Sequence, residues 1–265
     1  MRRLLTPRWL VGHVFVVAIA VTCVILGAWQ LDRLQERRVT NLVHAARFEE
    51  TPQPIDRLLQ LAGDDVDSLE FRRATATGEY RPDEEVLVRS RVRDGIAGFG
   101  VITPLVDADG SAVAVDRGWV PLEFDTVPVS AAPPPEGTIT VTGVIRLSEQ
   151  RGALGREDSS AGADASLSRI DLDLLDELVA AELQPVYLPE LSDASPIDLP
   201  ASTPPPDFDD EGPHLSYAIQ WFSFAVVGAI GYGFLLRRAV RGTSGGGDGQ
   251  VVDDLDTGER PQIRT

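Results

Sequence analysis

Residues 9–29 read WLVGHVFVVAIAVTCVILGAW, and residues 215–236 read LSYAIQWFSFAVVGAIGYGFLL. Neither run contains Asp, Glu, Lys or Arg. Each reaches the roughly 20 residues that a helix needs to cross a bilayer, and hydrocarbon tolerates a backbone only when its N–H and C=O groups are paired internally. The two runs therefore predict two membrane-spanning helices. A cleaved signal peptide explains the first run less well. MRRLLTPR is a suitable basic leader, but the apolar core exceeds the roughly 7–15 residues of a signal sequence and ends in no small-x-small site. Cys23 lies in mid-run, which removes a lipoprotein reading as well.

Arg2, Arg3 and Arg8 precede the first run, and Arg237, Arg238 and Arg241 follow the second. Arginine concentrates on the cytoplasmic side of membrane helices, so both termini are expected there, although Arg33, Arg37 and Arg38 soften the contrast. The expected organisation is a cytoplasmic N-terminus (1–8), a first transmembrane helix (9–29), an extracytoplasmic α+β domain with its linker (30–214), a second transmembrane helix (215–236) and a cytoplasmic tail of disordered composition (237–265).

Charge narrows the partners. Residues 31–214 carry 36 acidic and 16 basic side chains, a balance of −20, and such a surface repels phosphate backbones. No nucleic-acid partner is expected, and the lipid bilayer is. All 24 basic residues are arginine, which excludes a Walker lysine and a Schiff-base lysine. One cysteine and one methionine exclude paired-thiolate zinc or copper chemistry and a methionine-rich copper site within the chain.

Between the spans, residues 31–50 lack Gly and Pro and predict a helical continuation of the first span that TPQP stops. FRRATATGEY, EVLVRSRV, GFGVITPLV, SAVAVDRGWV and TITVTGVIRL are rich in Val, Ile and Thr and separated by RPDE, RDG and DADG. They predict a small antiparallel β-sheet or partly closed barrel, with residues 107–110 as a four-residue hairpin loop. Residues 151–166 read as a polar surface loop and SRIDLDLLDELVAAEL as one amphipathic helix burying Ile170, Leu174, Leu178 and Val179. QPVYLPEL predicts a final strand, and LPASTPPPDFDDEGP an extended linker.

Three histidines are candidates for chemistry. His44 is expected to be structural, and His13, inside a span, must find a polar partner. His214 shares a helical stripe with Tyr217, Ala218 and Trp221 if the helix begins near Pro213. That stripe reads equally as an interfacial aromatic belt or as a ligand site. Ala225, Ala229 and Gly233 form a small-residue stripe expected to face the first span. DRGWVP (116–121) reads as a strand end with Gly118 at a turn and Trp119 packed inside. No catalytic dyad, phosphate loop or metal-ligand cluster is visible, so no enzyme is expected.

Taken together, LGAWQLDRLQERR, GFGVITPLV, VDRGWVP, TVTGVIR and above all EGPHLSYAIQWFSFA resemble successive motifs of the Surfeit locus protein 1 family, in order from about Leu26 to Gly233. The resemblance implies a non-catalytic factor in assembly of haem-copper cytochrome c oxidase. It further implies transient binding of haem a, with His214 matching the family's proposed iron ligand. The catalytic subunit of the oxidase is then the expected partner, with haem a synthase a further one. On this reading Trp29, Tyr217 and Trp221 shelter the macrocycle, while Arg33 and Arg117 meet its propionates, because a planar guanidinium suits carboxylates. Two alternatives stay open: a haem-free scaffold for oxidase subunits, and a haem- or quinone-dependent oxidoreductase. The loop at 151–166, the acidic linker and the tail depart from the family pattern.

The expected topology is testable. Protease added outside spheroplasts should cut within residues 151–166 and leave both termini protected, and cleavage of the tail would overturn the orientation.

Overall fold

A computed structural model describes residues 6–149, 166–191 and 198–241. The expected tail beyond Arg241, the leading Arg2 and Arg3 and all but the end of the 151–166 loop lie outside these residues. The chain divides into a helical unit, Met1–Glu36 with Gly212–Thr265, and a sheet unit, Arg37–Glu211.

Two long helices carry the predicted spans. Helix α1 runs Pro7–Glu49, so the first span does continue without a break to TPQP. The second long helix, His214–Arg241, begins where Pro213 supplies the first-turn carbonyl, its oxygen accepting from Tyr217 N at 3.1 Å. Both are long and apolar enough to cross a membrane. Phe15, Ile25, Val227 and Phe234 are each more than 60 % exposed, a surface that hydrocarbon solvates and water does not. Within the apolar runs, Thr22 and Ser223 return their hydroxyls to the carbonyls of Ala18 and Ile219, so neither hydroxyl proton is left unpaired.

The helices meet on a face other than the expected one. Ala229 is exposed, and a Cβ placed on Gly233 would meet nothing within 4 Å. The buried residues are Cys23, Gly27 and Leu34 on α1 and Ala218 on the second long helix. At Gly27 an added Cβ would lie 2.7 Å from the Phe222 ring, so the absent side chain is the slot that the ring fills.

The sheet unit is an eight-stranded mixed sheet. Its strands are β1 (Gln53–Pro54), β2 (Arg73–Tyr80), β3 (Val86–Arg93), β4 (Ile96–Val106), β5 (Ser111–Pro121), β6 (Ile139–Val144), β7 (Ser166–Leu167) and β8 (Glu182–Pro189). Helices α2 (Ile55–Ala62) and α3 (Leu172–Asp176) accompany them, and His214–Arg241 is α4. The five predicted strands and the final one all form. Asp107–Gly110 is the four-residue hairpin loop, closed by Asp107 Oδ1 accepting from the Asp109 and Ser111 amides, each at 2.9 Å. Asp94 and Gly95, at φ of 50° and 78°, turn β3 into β4 as a two-residue primed turn.

The expectation of an antiparallel sheet is corrected, because β1–β2, β3–β7 and β5–β8 pair in parallel. The sheet is not closed into a barrel: the chain along and just after β6 meets β8 and the residue after it through isolated bridges, Gly143–Glu190 and Arg146–Tyr187, rather than a ladder. The helix expected over residues 168–183 shortens to α3, capped by the Asp171 carboxylate. Its last two residues, Glu182 and Leu183, are drawn into the sheet, where they pair with Ser111 and Ala112 of β5 and gain backbone partners that a surface helix would not need. Leu172 and Leu175 are therefore buried, while Leu174 and Leu178 are only partly so.

Strand β5 shows why the sheet folds as it does. Val113 and Val115 enter one core with Leu105, Ile145 and Leu188, while Ala114 enters another with Val88, Ile102 and Leu175, so both faces of the strand are covered. Between Asp116 and Gly118 the register with β4 slips, and Arg117 is the extra residue of a bulge. Gly118 sits at φ 126°, and a Cβ there would be 2.3 Å from Ala201 O. The glycine thus serves a bulge and a close approach, not the expected turn. Trp119 lies against Gly98, where a Cβ would be 2.4 Å from the indole, and its Nε1 donates to Arg91 O at 3.3 Å.

The bulge turns Arg117 inward. Its guanidinium lies 3.2 Å from the Glu85 carboxylate, donates to Ala132 O at 2.8 Å and stands 5.4 Å from the Tyr80 ring centroid. Glu85 also accepts from Thr103 Oγ1 at 2.8 Å and from Val129 N at 2.7 Å, so a pair fully removed from water is hydrogen-bonded on both sides.

Linker residues 207–211 are fastened to the end of α1 inside this unit. Arg38 grips Glu211 with two bonds of 2.6 and 2.8 Å, and Asn41 donates to the carbonyls of Phe208 and Asp210. Phe208 stacks with Phe48 and Phe71, while His44 lies 4.3 Å from Phe71. Burial there lowers the affinity of His44 for a proton, which suits a packing role.

A cleft of about 520 Å³ in the same unit is lined by Arg91, Asp116, Trp119, Arg146, Glu149 and Tyr187, among others. Burial raises the Asp116 carboxyl from an ordinary 3.8 to about 6, against the Gly118 amide, which favours the charged form.

Two outcomes follow. Arg117→Met should destabilise the full-length protein in detergent by about 3–5 kcal/mol, because it strands the Glu85 charge. The double variant with Glu85→Gln should recover part of this, and wild-type stability of Arg117→Met alone would contradict the pair's role. For Asp116, the folded state holds its proton to higher pH than the unfolded chain. Its contribution is thus full below about pH 4 and lost as pH rises through about 6. The melting temperature of Asp116→Asn relative to wild type should rise across that window, and a pH-independent difference would show an ordinary carboxyl.

Candidate functional site

A polar side chain at the end of an apolar helix either reaches water or finds a partner. His214 finds one, its Nδ1 lying 2.9 Å from Gln30 Oε1 of α1. This is the only hydrogen bond to the ring among the described residues, and Nε2 is left without a protein partner. Gln30 sits on the packed face of its helix, three residues after Gly27 and four before Leu34, both buried. His214 stands four residues before Ala218, which is 1 % exposed. The contact therefore lies beside the buried residues of both helices.

The surroundings are aromatic and open. Tyr217 and Trp29 are about half exposed at 47 % and 51 %. Trp221 is half-buried and meets Phe224 edge to face at 5.9 Å between centroids. Arg33, three residues beyond Gln30, is exposed and paired with Glu36 of its own helix. His214, Tyr217 and Trp221 thus share a stripe of α4, with Gln30 opposite His214 and with Trp29 and Arg33 flanking Gln30 in α1. Arg117 does not join them as a free cation, because Glu85 and Ala132 take up its guanidinium within the sheet unit. His13, the other histidine of the helical unit, bonds through Nδ1 to the Tyr232 hydroxyl, the polar partner that its place in a span demands.

Gln30 was not singled out from the sequence. The signal was present: it is the first polar residue after an apolar run, in register with the first polar residue before another.

Among the described residues no group of three or more His, Cys, Asp or Glu could hold a metal ion. A bare ion needs such a set, whereas a porphyrin brings four equatorial nitrogens and asks the protein for one axial ligand. One imidazole with a free Nε2, aromatic side chains at an apolar boundary and an arginine nearby fit that requirement. The fit is chemical and names no pose.

Comparison with known proteins gives a consistent answer. The SURF1 family profile matches residues 17–226. A SURF1-like protein of Mycobacterium tuberculosis is 33% identical over 243 residues, covering 90% of this chain and 87% of that protein. One from Monosiga brevicollis is 29% identical over 232 residues, covering 80% and 83%. The cytochrome oxidase assembly protein SHY1 of Saccharomyces cerevisiae is 30% identical over 135 residues, covering 49% of this chain and 34% of the yeast protein. The chain belongs to the SURF1 family.

Proposed function

We propose that this chain is a membrane-anchored assembly factor for haem-copper cytochrome c oxidase that holds haem a transiently through His214. Family membership and the likeness to the yeast assembly protein support the assembly role. The observation that carries the haem reading is the His214 ring, held at Nδ1 by Gln30 with Nε2 unengaged, at the end of an apolar helix.

Haem a, when bound, would supply the iron and the macrocycle to be delivered. The chain's own residues do the rest. His214 offers a neutral nitrogen donor, and Tyr217, Trp221 and Trp29 offer aromatic surface that keeps water from an apolar ring. Arg33 offers a guanidinium to a propionate in exchange for its exposed partner Glu36, a pair that contributes little by itself. Arg117 has no part in this proposal, since its charge is already met. The central unit is proposed to lie outside the cytoplasm with both termini inside, and the partners to be the catalytic subunit of the oxidase and haem a synthase.

The test is haem content of the purified full-length protein, co-produced with haem a synthase. His214→Ala should insert and accumulate normally but lose most bound haem, because a half-buried side chain at a helix end, held by one hydrogen bond, contributes little to folding. Tyr217→Phe should keep most of it, and Arg33→Ala should weaken retention without moving the ligand-field bands. An unchanged spectrum in His214→Ala would remove this residue as the ligand. A wild type without haem whose loss impairs oxidase assembly would establish the scaffold instead.

A further inference from the structure

We propose that Gln30 is a positioning residue for His214, holding the imidazole proton on Nδ1 and so leaving the Nε2 lone pair for a ligand's metal. This deepens the proposal that His214 is an axial ligand and rests on it.

The argument begins with donors and acceptors. A neutral imidazole has one N–H and one lone pair, and an amide oxygen can only accept. At 2.9 Å, Gln30 Oε1 therefore requires the proton on Nδ1. In the other tautomer two lone pairs would face each other, and the Nε2 proton would block coordination. Histidine ligands generally have their second nitrogen fixed in this manner, by a partner that sets tautomer and ring orientation together.

Packing makes the arrangement more than a surface contact. The Phe222 ring is seated over Gly27, three residues before Gln30, and Leu34 and Ala218 are buried one turn beyond Gln30 and His214. Neither side chain has to search for the other. A neutral amide also suits the place, since a carboxylate there would bring a charge to the edge of hydrocarbon.

The decisive experiment reads the proton itself. Full-length protein with ¹⁵N-labelled histidine in lipid nanodiscs gives three ring systems, and His214 is assigned by its loss in His214→Ala. With the ring neutral, the nitrogen-to-ring-proton coupling pattern should show the Nδ1–H form dominant in the wild type, although free imidazole prefers its proton on Nε2. Gln30→Leu should shift it to Nε2–H, while Gln30→Glu, which keeps an acceptor, should not. The second readout is titration with iron protoporphyrin IX. Gln30→Leu should bind about 10- to 100-fold more weakly than wild type, and Gln30→Glu within a few-fold. A wild-type His214 in the Nε2–H form, an unshifted tautomer in Gln30→Leu, or equal porphyrin affinity in Gln30→Leu and wild type would each overturn the proposal. Binding equal in wild type and His214→Ala, or absent from both, removes the ligand reading on which it rests, whereas binding lost in His214→Ala and retained in Gln30→Leu removes Gln30 alone.

Discussion

A polar group taken out of water has to be met by another, and the organisation of this chain follows from how three such groups are met. Arg117 is answered by Glu85, His13 by Tyr232 and His214 by Gln30. Each pair joins residues far apart in sequence, so each is available only when the correct elements are side by side. In the sheet unit the cost of stranding either charge forces β5 to bulge and the Val129 segment to close over the pair. In the helical unit the His13–Tyr232 and His214–Gln30 pairs join α1 to α4, while the Phe222 ring fills the slot at Gly27.

Two motifs that look unrelated in the sequence prove to be one construction. Gly98 of GFGV is bare because the Trp119 indole lies over it, and Gly118 of DRGW is bare because the Ala201 carbonyl does. Arg117 points inward because the residue that follows takes up a conformation closed to other side chains. The linker that supplies Ala201 is fastened again at Phe208 and Glu211 by Asn41 and Arg38 at the far end of α1. Composition alone suggests a loose acidic tether, yet at these points it is a bonded strap.

The helical unit reserves little for stability that the candidate site does not also use. Gly27 receives the Phe222 ring, Leu34 and Ala218 are buried, and Gln30 and His214 lie within a turn of these residues. The carrier role proposed above would be served by a rigid donor nitrogen in an otherwise open, aromatic setting, because rigidity favours coordination while openness lets a ligand leave.

By itself the sequence determined the two long apolar helices, the six longer strands, the Asp107–Gly110 loop and the candidacy of His214, because these depend on hydrophobic period, turn chemistry and helix spacing, all of which are local. Only the tertiary structure decided which helix faces meet. Ala229 and Gly233 had the right spacing, but Gly27 had Phe222 to receive, and the shape of a partner surface is not written in one helix. It also decided that residues 182–183 pair with β5 instead of completing a helix, since a backbone takes the partners that the sheet offers. Arg117 read as an available cation because its counter-charge, Glu85, lies 32 residues away. Gln30 went unnoticed for the same reason: a hydrogen bond between residues 184 positions apart exists only in the folded chain.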